Sequence, residues 1–244
     1  MPPQLPSPAR LRWITGEARR ILRYQGLPVL LWRGLVKGLS PVVALKLVSL
    51  YQKDLTQPLP EVRARIEMAI EQAREADVDR ILDMGVGDDP TVHLTPDRRL
   101  RLLDRQLRDF REGGLCFVAR VGSELVHSNW IRFRGVEVVP GRHLRLGPDE
   151  AYMTDGFTVK RWRGHGIHAA VNVHMLRYLQ QAGYRRAYTY ALAENLISRR
   201  GLHRAGWELT GVLLAVSFLG RGPLVRALRG DLHPWVEDQP AKAP

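Results

Sequence analysis

The sequence has a single cysteine, Cys116, so no disulfide can form within the chain and a disulfide-stapled secreted scaffold is excluded. Cys116 lies in the apolar run Leu115-Cys116-Phe117-Val118-Ala119, which suits a buried thiol acting as a small hydrophobe better than a nucleophile. Long hydrophobic runs are also missing. The stretch from Gly26 to Tyr51 is rich in leucine and valine, but Arg33, Lys37 and Lys46 interrupt it well short of the roughly 18 apolar residues that a membrane-spanning helix needs. The segment Met1 to Pro8 is proline-rich and lacks an apolar core followed by a small-residue cleavage site, so no secretory signal is expected. The eight histidines show no metal-ligand spacing, and no metal is expected. These absences point to a cytoplasmic chain.

Lysine is scarce too. Lys37, Lys46, Lys53, Lys160 and Lys242 are the only lysines among 37 basic residues, and the remainder are arginine. The formal net charge is +12, and over half of it sits in residues 1–54, which hold nine basic and two acidic side chains. That is a local basic surface on a nearly balanced core, and no nucleic-acid motif accompanies it, so nucleic acid is not an expected partner. Two readings of residues 10–53 stand side by side: contact with an anionic membrane or an acidic protein, which makes the protein peripheral at the membrane, or a helical cap packed on the core.

With 244 residues, 45% of them hydrophobic, the chain can bury one good-sized core. Residues 10–53 read as one or two helices broken near Pro28 and before Pro41, and Pro58 and Pro60 mark a boundary. Apolar residues at every second position from Val62 to Ile70 predict a strand. A short helix is predicted over 75–84. A longer one starts at Thr95-Pro96-Asp97 and is stopped by Gly113-Gly114. Strands over 115–121 and 125–133 are joined by Gly122-Ser123, and a further hairpin turns at Pro140-Gly141. Then come a strand over 151–159, a helix over 164–181, a strand over 186–190, a helix over 195–205, a strand over 207–219 and a terminal helix over 222–229. The order predicts an α/β (α+β) fold with a mixed sheet covered by helices. The expected organisation is a basic helical extension (1–54), a catalytic domain (55–220) and a C-terminal helix and tail (221–244).

The strand at 151–159 runs into Arg161-Trp162-Arg163-Gly164-His165-Gly166-Ile167-His168, where a helix begins. A helix N-terminus offers unpaired N–H groups and about half a positive charge, glycines let the backbone approach an anion, and arginines suit phosphate oxygens. Downstream stand Asn195-Leu196-Ile197-Ser198 and Ala205-Gly206-Trp207. With Arg161, Gly164 and Gly166 in the loop, the chain resembles the GNAT acetyltransferase superfamily over roughly residues 60–219. The resemblance implies the GNAT fold, in which two central strands splay apart, and an acyl-CoA donor, acetyl-CoA or longer, with its pyrophosphate on the amides of residues 163–168. It implies a pantetheine arm beside Phe157, Thr158 and Val159, and contacts from Asn195 and Ser198. It also implies direct attack of an amine on the thioester, without an acyl-enzyme. In many members a tyrosine stands seven residues after the asparagine, and here that position is Leu202.

Asp155 is predicted on the same strand face as Met153 and Phe157, where a carboxylate is either a general base or a satisfied polar group near a bulge. Tyr152 and Tyr190 are candidates to polarise the intermediate or protonate the leaving thiolate. Glu150, at the start of the strand, is expected to be solvated. The expected partners are acyl-CoA and an amine acceptor of unknown identity, with a second copy of the chain as a homodimer. The alternative function is acyl-CoA binding without turnover.

Overall fold

The structure is a computed structural model that describes residues 43–87, 95–139, 142–218, 224–230 and 237–238, with a few positions between 19 and 34. An eight-stranded sheet runs in the order β10-β9-β1-β8-β7-β4-β3-β2. Its strands are β1 (Val43–Asp54), β2 (Ala69–Gln72), β3 (Leu115–Val121), β4 (Glu124–Arg132), β7 (Glu150–Thr158), β8 (Arg186–Leu192), β9 (Glu208–Phe218) and β10 (Leu224–Arg229). Every neighbouring pair is antiparallel except β7 and β8. A smaller sheet joins β5 (Val136–Val139), β6 (Arg142–Leu144) and β11 (Glu237–Asp238).

The helices are α1 (Val78–Gly87), α2 (Pro96–Arg111), α3 (Ile167–Gln181) and α4 (Leu196–Arg204). The local signals read from the sequence act here. Thr95 caps α2 by accepting from the Arg98 N–H at 3.3 Å, Pro96 opens its first turn, and Gly113 follows its end at φ +83°. One face of the sheet packs Met153, Ala151, Ala187 and Tyr51 against α3 and α4, from which Leu176 and Leu202 are buried. On the other face Cys116, Val118 and Trp130 pack with Ile81 of α1 and Phe110 of α2, and Tyr152 and Tyr188 pack with Leu144 of β6. Among the described residues no helix is long and apolar enough to cross a membrane.

Three sequence expectations are corrected. Residues 43–54, expected to be helical and outside the catalytic domain, form a 12-residue strand in the middle of the sheet, paired with both β8 and β9. Burial on both faces explains the near-continuous apolar run of β1, a pattern that does not separate strand from helix. Of the predicted N-terminal helices, residues 21–22 and 27–31 are helical on either side of Gly26 at φ +88°, which places the expected break next to Pro28, whereas the break before Pro41 and the Pro140-Gly141 turn lie outside the described residues. The strand predicted over 62–70 is reduced to β2, because Val62, Ile66 and Met68 pack against the core from an irregular segment. Within the helix predicted over 222–229, Leu224–Arg229 are instead a strand, β10, paired with Val212–Val216 of β9.

Candidate active site

β7 and β8 run parallel and are paired only through Glu150–Arg186, Ala151–Ala187 and Tyr152–Tyr188. Beyond Tyr152 the strands part, and among the described residues the β8-facing edge of β7 has no strand partner from Met153 to Thr158. The backbone groups on this edge are left to water or to an added extended group.

The glycine loop closes the open end of that gap. After a single turn at Lys160–Trp162, Gly164 and Gly166 take φ of +92° and +80°, the left-handed region that glycine enters without strain. Gly166 caps α3, and the 15-residue helix aims its first amides at the loop. A side chain at Gly164 would meet open space, whereas Gly166 backs onto Arg63 and Ala64. The Arg65 N–H donates to the His165 carbonyl at 2.7 Å, so the segment expected to be a strand instead buttresses the loop.

The loop arginines are already engaged. Arg161 pairs with Glu124 at 2.5 Å, and Trp162 Nε1 donates to the same carboxylate at 2.9 Å. Arg161, then Trp162, hold the Glu124 carboxyl below its ordinary range. Arg163 folds back to donate to the Thr158 carbonyl at 2.8 Å and lies over the Phe157 ring. The Val159 N–H returns to the Val126 carbonyl of β4. Across the gap, Asn195 caps α4 by accepting from the Ser198 N–H at 3.2 Å. Leu202 is a core residue.

Asp155 is corrected in its direction. The β4–β7 register slips between Ser128–Phe157 and Trp130–Thr154, leaving Asp155 and Gly156 opposite Asn129 alone. This is a β-bulge, with Asp155 at φ +54°. The extra residue turns Asp155 away from the face of Met153 and towards that of Tyr152 and Arg132. There its Oδ2 accepts from Arg105 at 2.5 Å and from Arg132 at 2.9 Å. Arg132 also holds Asp109 through two bonds of 2.9 Å.

The bulge thereby gathers the three residues expected to act on the acyl group. The Tyr152 and Tyr190 rings stack with centroids 6.3 Å apart. Burial pushes the Tyr152 phenol well above its ordinary value, with Tyr190 adding to the effect; Thr154 lies near enough to temper that rise but not in hydrogen-bonding geometry. Burial, then the Asp155 charge, raise Tyr190. Glu150 is not solvated as expected: it accepts from the Tyr188 hydroxyl at 2.8 Å and the Gly147 N–H at 2.9 Å.

Sequence reasoning missed His127 altogether and read His168 only as part of the loop. His127 is fully buried and His168 half-buried with its Nε2 out of solvent, their rings lie 5.5 Å apart, and neither Nε2 has a hydrogen-bond partner among the described residues. His127 Nδ1 meets the Thr158 hydroxyl at 2.7 Å, and Asn172 donates to the His168 carbonyl at 2.8 Å. Burial holds His168 down to about 4. Burial, then the charge of His168, hold His127 well below the ordinary histidine value. The His168 ring fits between Gly156 and Gly201, either of which would put a Cβ at 3.0 Å from it. Two glycines on separate elements around one histidine leave no local signal in a sequence.

No family model matches the chain, and no curated protein does. Solved structures do. An acetyltransferase of the GNAT family from Colwellia psychrerythraea superposes with a TM-score of 0.49 at 15% identity, over 74% of this chain and 58% of that one. A GCN5-related N-acetyltransferase from Sphaerobacter thermophilus gives 0.47 at 16%, over 82% and 58%. A functionally unknown conserved protein from Staphylococcus epidermidis gives 0.50 at 11%, over 86% and 79%. This chain therefore spans under three fifths of the Colwellia and Sphaerobacter chains, and at these identities the likeness concerns fold alone. The mixed sheet, the parting parallel strands and the glycine loop at a helix start make an α/β fold built on a mostly antiparallel eight-stranded sheet flanked by helices.

Proposed function

We propose that the protein transfers an acyl group from an acyl-CoA, acetyl-CoA first among them, to an amine. One observation carries this reading: the strand edge left without a partner beyond Tyr152 leads directly to a glycine loop at the start of α3. The pyrophosphate would rest on the amides of residues 163–168 and the positive end of α3. The pantetheine amides would pair with the free edge of β7 near Phe157 and Thr158, with Asn195 and Ser198 across the gap. The nitrogen lone pair of the amine then forms a C–N bond to the thioester carbon, and the carbonyl electrons move to oxygen. Collapse breaks the C–S bond, releases CoA as thiolate, and the nitrogen gives up a proton.

We assign that proton to Asp155, which lies on the stretch of β7 that has no β8 partner. Tyr152 and Tyr190 remain protonated at neutral pH, so they suit hydrogen bonding to the oxyanion better than proton donation to the thiolate. We place the reaction in the cytoplasm, which suits a lone buried thiol. A second reading, acyl-CoA binding without turnover, draws on the two arginines that occupy Asp155 and on Leu202 in the core. Release of free CoA on addition of amines, followed with a thiol reagent, separates the two.

The binding step is tested by calorimetry with acetyl-CoA. Gly164→Glu should abolish binding by placing a carboxylate in the open space where the pyrophosphate sits, and Gly166→Glu by straining the left-handed turn and crowding the Arg63–Ala64 backbone behind the loop. Gly164→Ala carries similar backbone strain without the charge and should keep most of the affinity. Unchanged affinity in both glutamate variants overturns the proposed site.

A further inference from the structure

Beside Asp155, on the face away from α3, the structure has a cavity of about 250 Å³ between the end of α2, the end of β4 and the start of β5. Its walls divide by charge. Asp109 and Glu112 line it from the C-terminal end of α2, where the helix itself is negative. Arg105, Arg132 and Arg134 line it with guanidinium groups, and Phe133 adds an apolar surface.

The arginines are not equivalent. Arg132 is largely buried and committed to Asp109 and Asp155. Arg105 is about half exposed and holds Asp155 through one contact. Arg134 is exposed and makes no ion pair with a described residue. Two cations thus remain able to turn towards a ligand, opposite Glu112, whose carboxylate suits an ammonium group, while Asp109 stays with Arg132. The cavity adjoins the bulge that carries Asp155, because both Arg105 and Arg132 reach from its wall to Asp155 Oδ2. Its volume is below the usual range of about 300–1,000 Å³ for ligand pockets, which suits an occupant about the size of an amino acid.

We propose that this cavity is the acceptor site and that the acceptor is a small amine that also carries an oxyanion, a carboxylate or a phosphate. The inference rests on the acyl-transfer reading. The oxyanion docks on Arg134 and Arg105, and the amine lies towards Glu112 and Asp155. When the acceptor's oxyanion takes over Arg105, it removes one of the two cations on Asp155 and leaves that carboxylate freer to accept the amine's proton. The acceptor then switches on its own base.

The test uses the full-length protein and reads binding as well as turnover. Saturation-transfer NMR is run with the twenty amino acids, with their carboxamides, and with phosphoethanolamine. At least one amino acid, or phosphoethanolamine, should bind at least tenfold more tightly than the matching neutral amine, and which of the two binds assigns the oxyanion. Arg134→Gln should raise the dissociation constant and the KM of that ligand about tenfold while leaving kcat, melting temperature and CoA affinity near wild type. Arg134→Lys should recover part of the loss. Carboxamides binding as well as acids, no binding by any member, or an unmoved Arg134→Gln each overturn the proposal. Acetyl-CoA calorimetry on the same preparation reports separately on the acyl-transfer reading: lost CoA binding with a retained acid preference refutes that reading alone.

Discussion

At the scale of single residues, Asp155 carries the most consequence. Its φ of +54° is one that asparagine also tolerates, so Asp155→Asn preserves the bulge and removes the charge. Loss of a general base costs about 10²–10⁴-fold in rate. Turnover of the variant should fall by at least about tenfold near neutral pH, with acetyl-CoA affinity largely kept. Stability should change little, because Arg105–Asp155 is an exposed pair and Arg132 retains Asp109. Steady-state rates and calorimetry on one preparation check both halves. Near-normal turnover would assign the proton to water or to another group.

At the scale of elements, β1 decides whether the fold exists. The proline pair Pro58 and Pro60 suggests that a chain starting at Leu55 would be a complete domain, yet β1 separates β8 from β9 and buries Val48, Leu50 and Tyr51. Each such side chain contributes about 1.5–3 kcal/mol, and a domain has only about 5–15 kcal/mol in total. Removing residues 1–54 should therefore leave no cooperative thermal transition by circular dichroism, whereas removing residues 1–39 should preserve one. A cooperative melt from the shorter chain would show β1 to be dispensable.

At the scale of the whole molecule, the buried histidines tie stability to pH. His127 and His168 are neutral when folded because burial disfavours their charged forms. As pH falls below about 6.5 the unfolded chain takes up protons that the folded chain does not. Stability is therefore full above that pH and declines as pH falls towards 4, where His168 finally titrates in place. The full effect of His168 is about 3 kcal/mol. Urea midpoints at pH 7.5, 6.0 and 5.0 should fall in that order, and His168→Gln should flatten the decline. A pH-independent midpoint across this window would mean that the pair is solvated in the folded protein.

What the sequence determined by itself was local. Caps, glycine stops and period-3.6 stretches depend on residues a few positions apart, so α2, α3 and α4 were legible almost to their ends, as were the β3–β4 hairpin and the glycine loop before α3. The tertiary structure decided whatever depends on a distant partner. Residues 43–54 became a central strand because β8 and β9 lie on either side, and Leu224–Arg229 became a strand because β9 offers an edge. Asp155 changed faces because β7 holds one more residue than β4 allows, and a register of that kind belongs to two strands at once. The His127–His168 pair and the charged cavity bring together residues tens of positions apart, and only the assembled sheet and helices set their distances. Short-range chemistry marked the glycine turn before a helix, and long-range pairing settled which side chains share a face of β7.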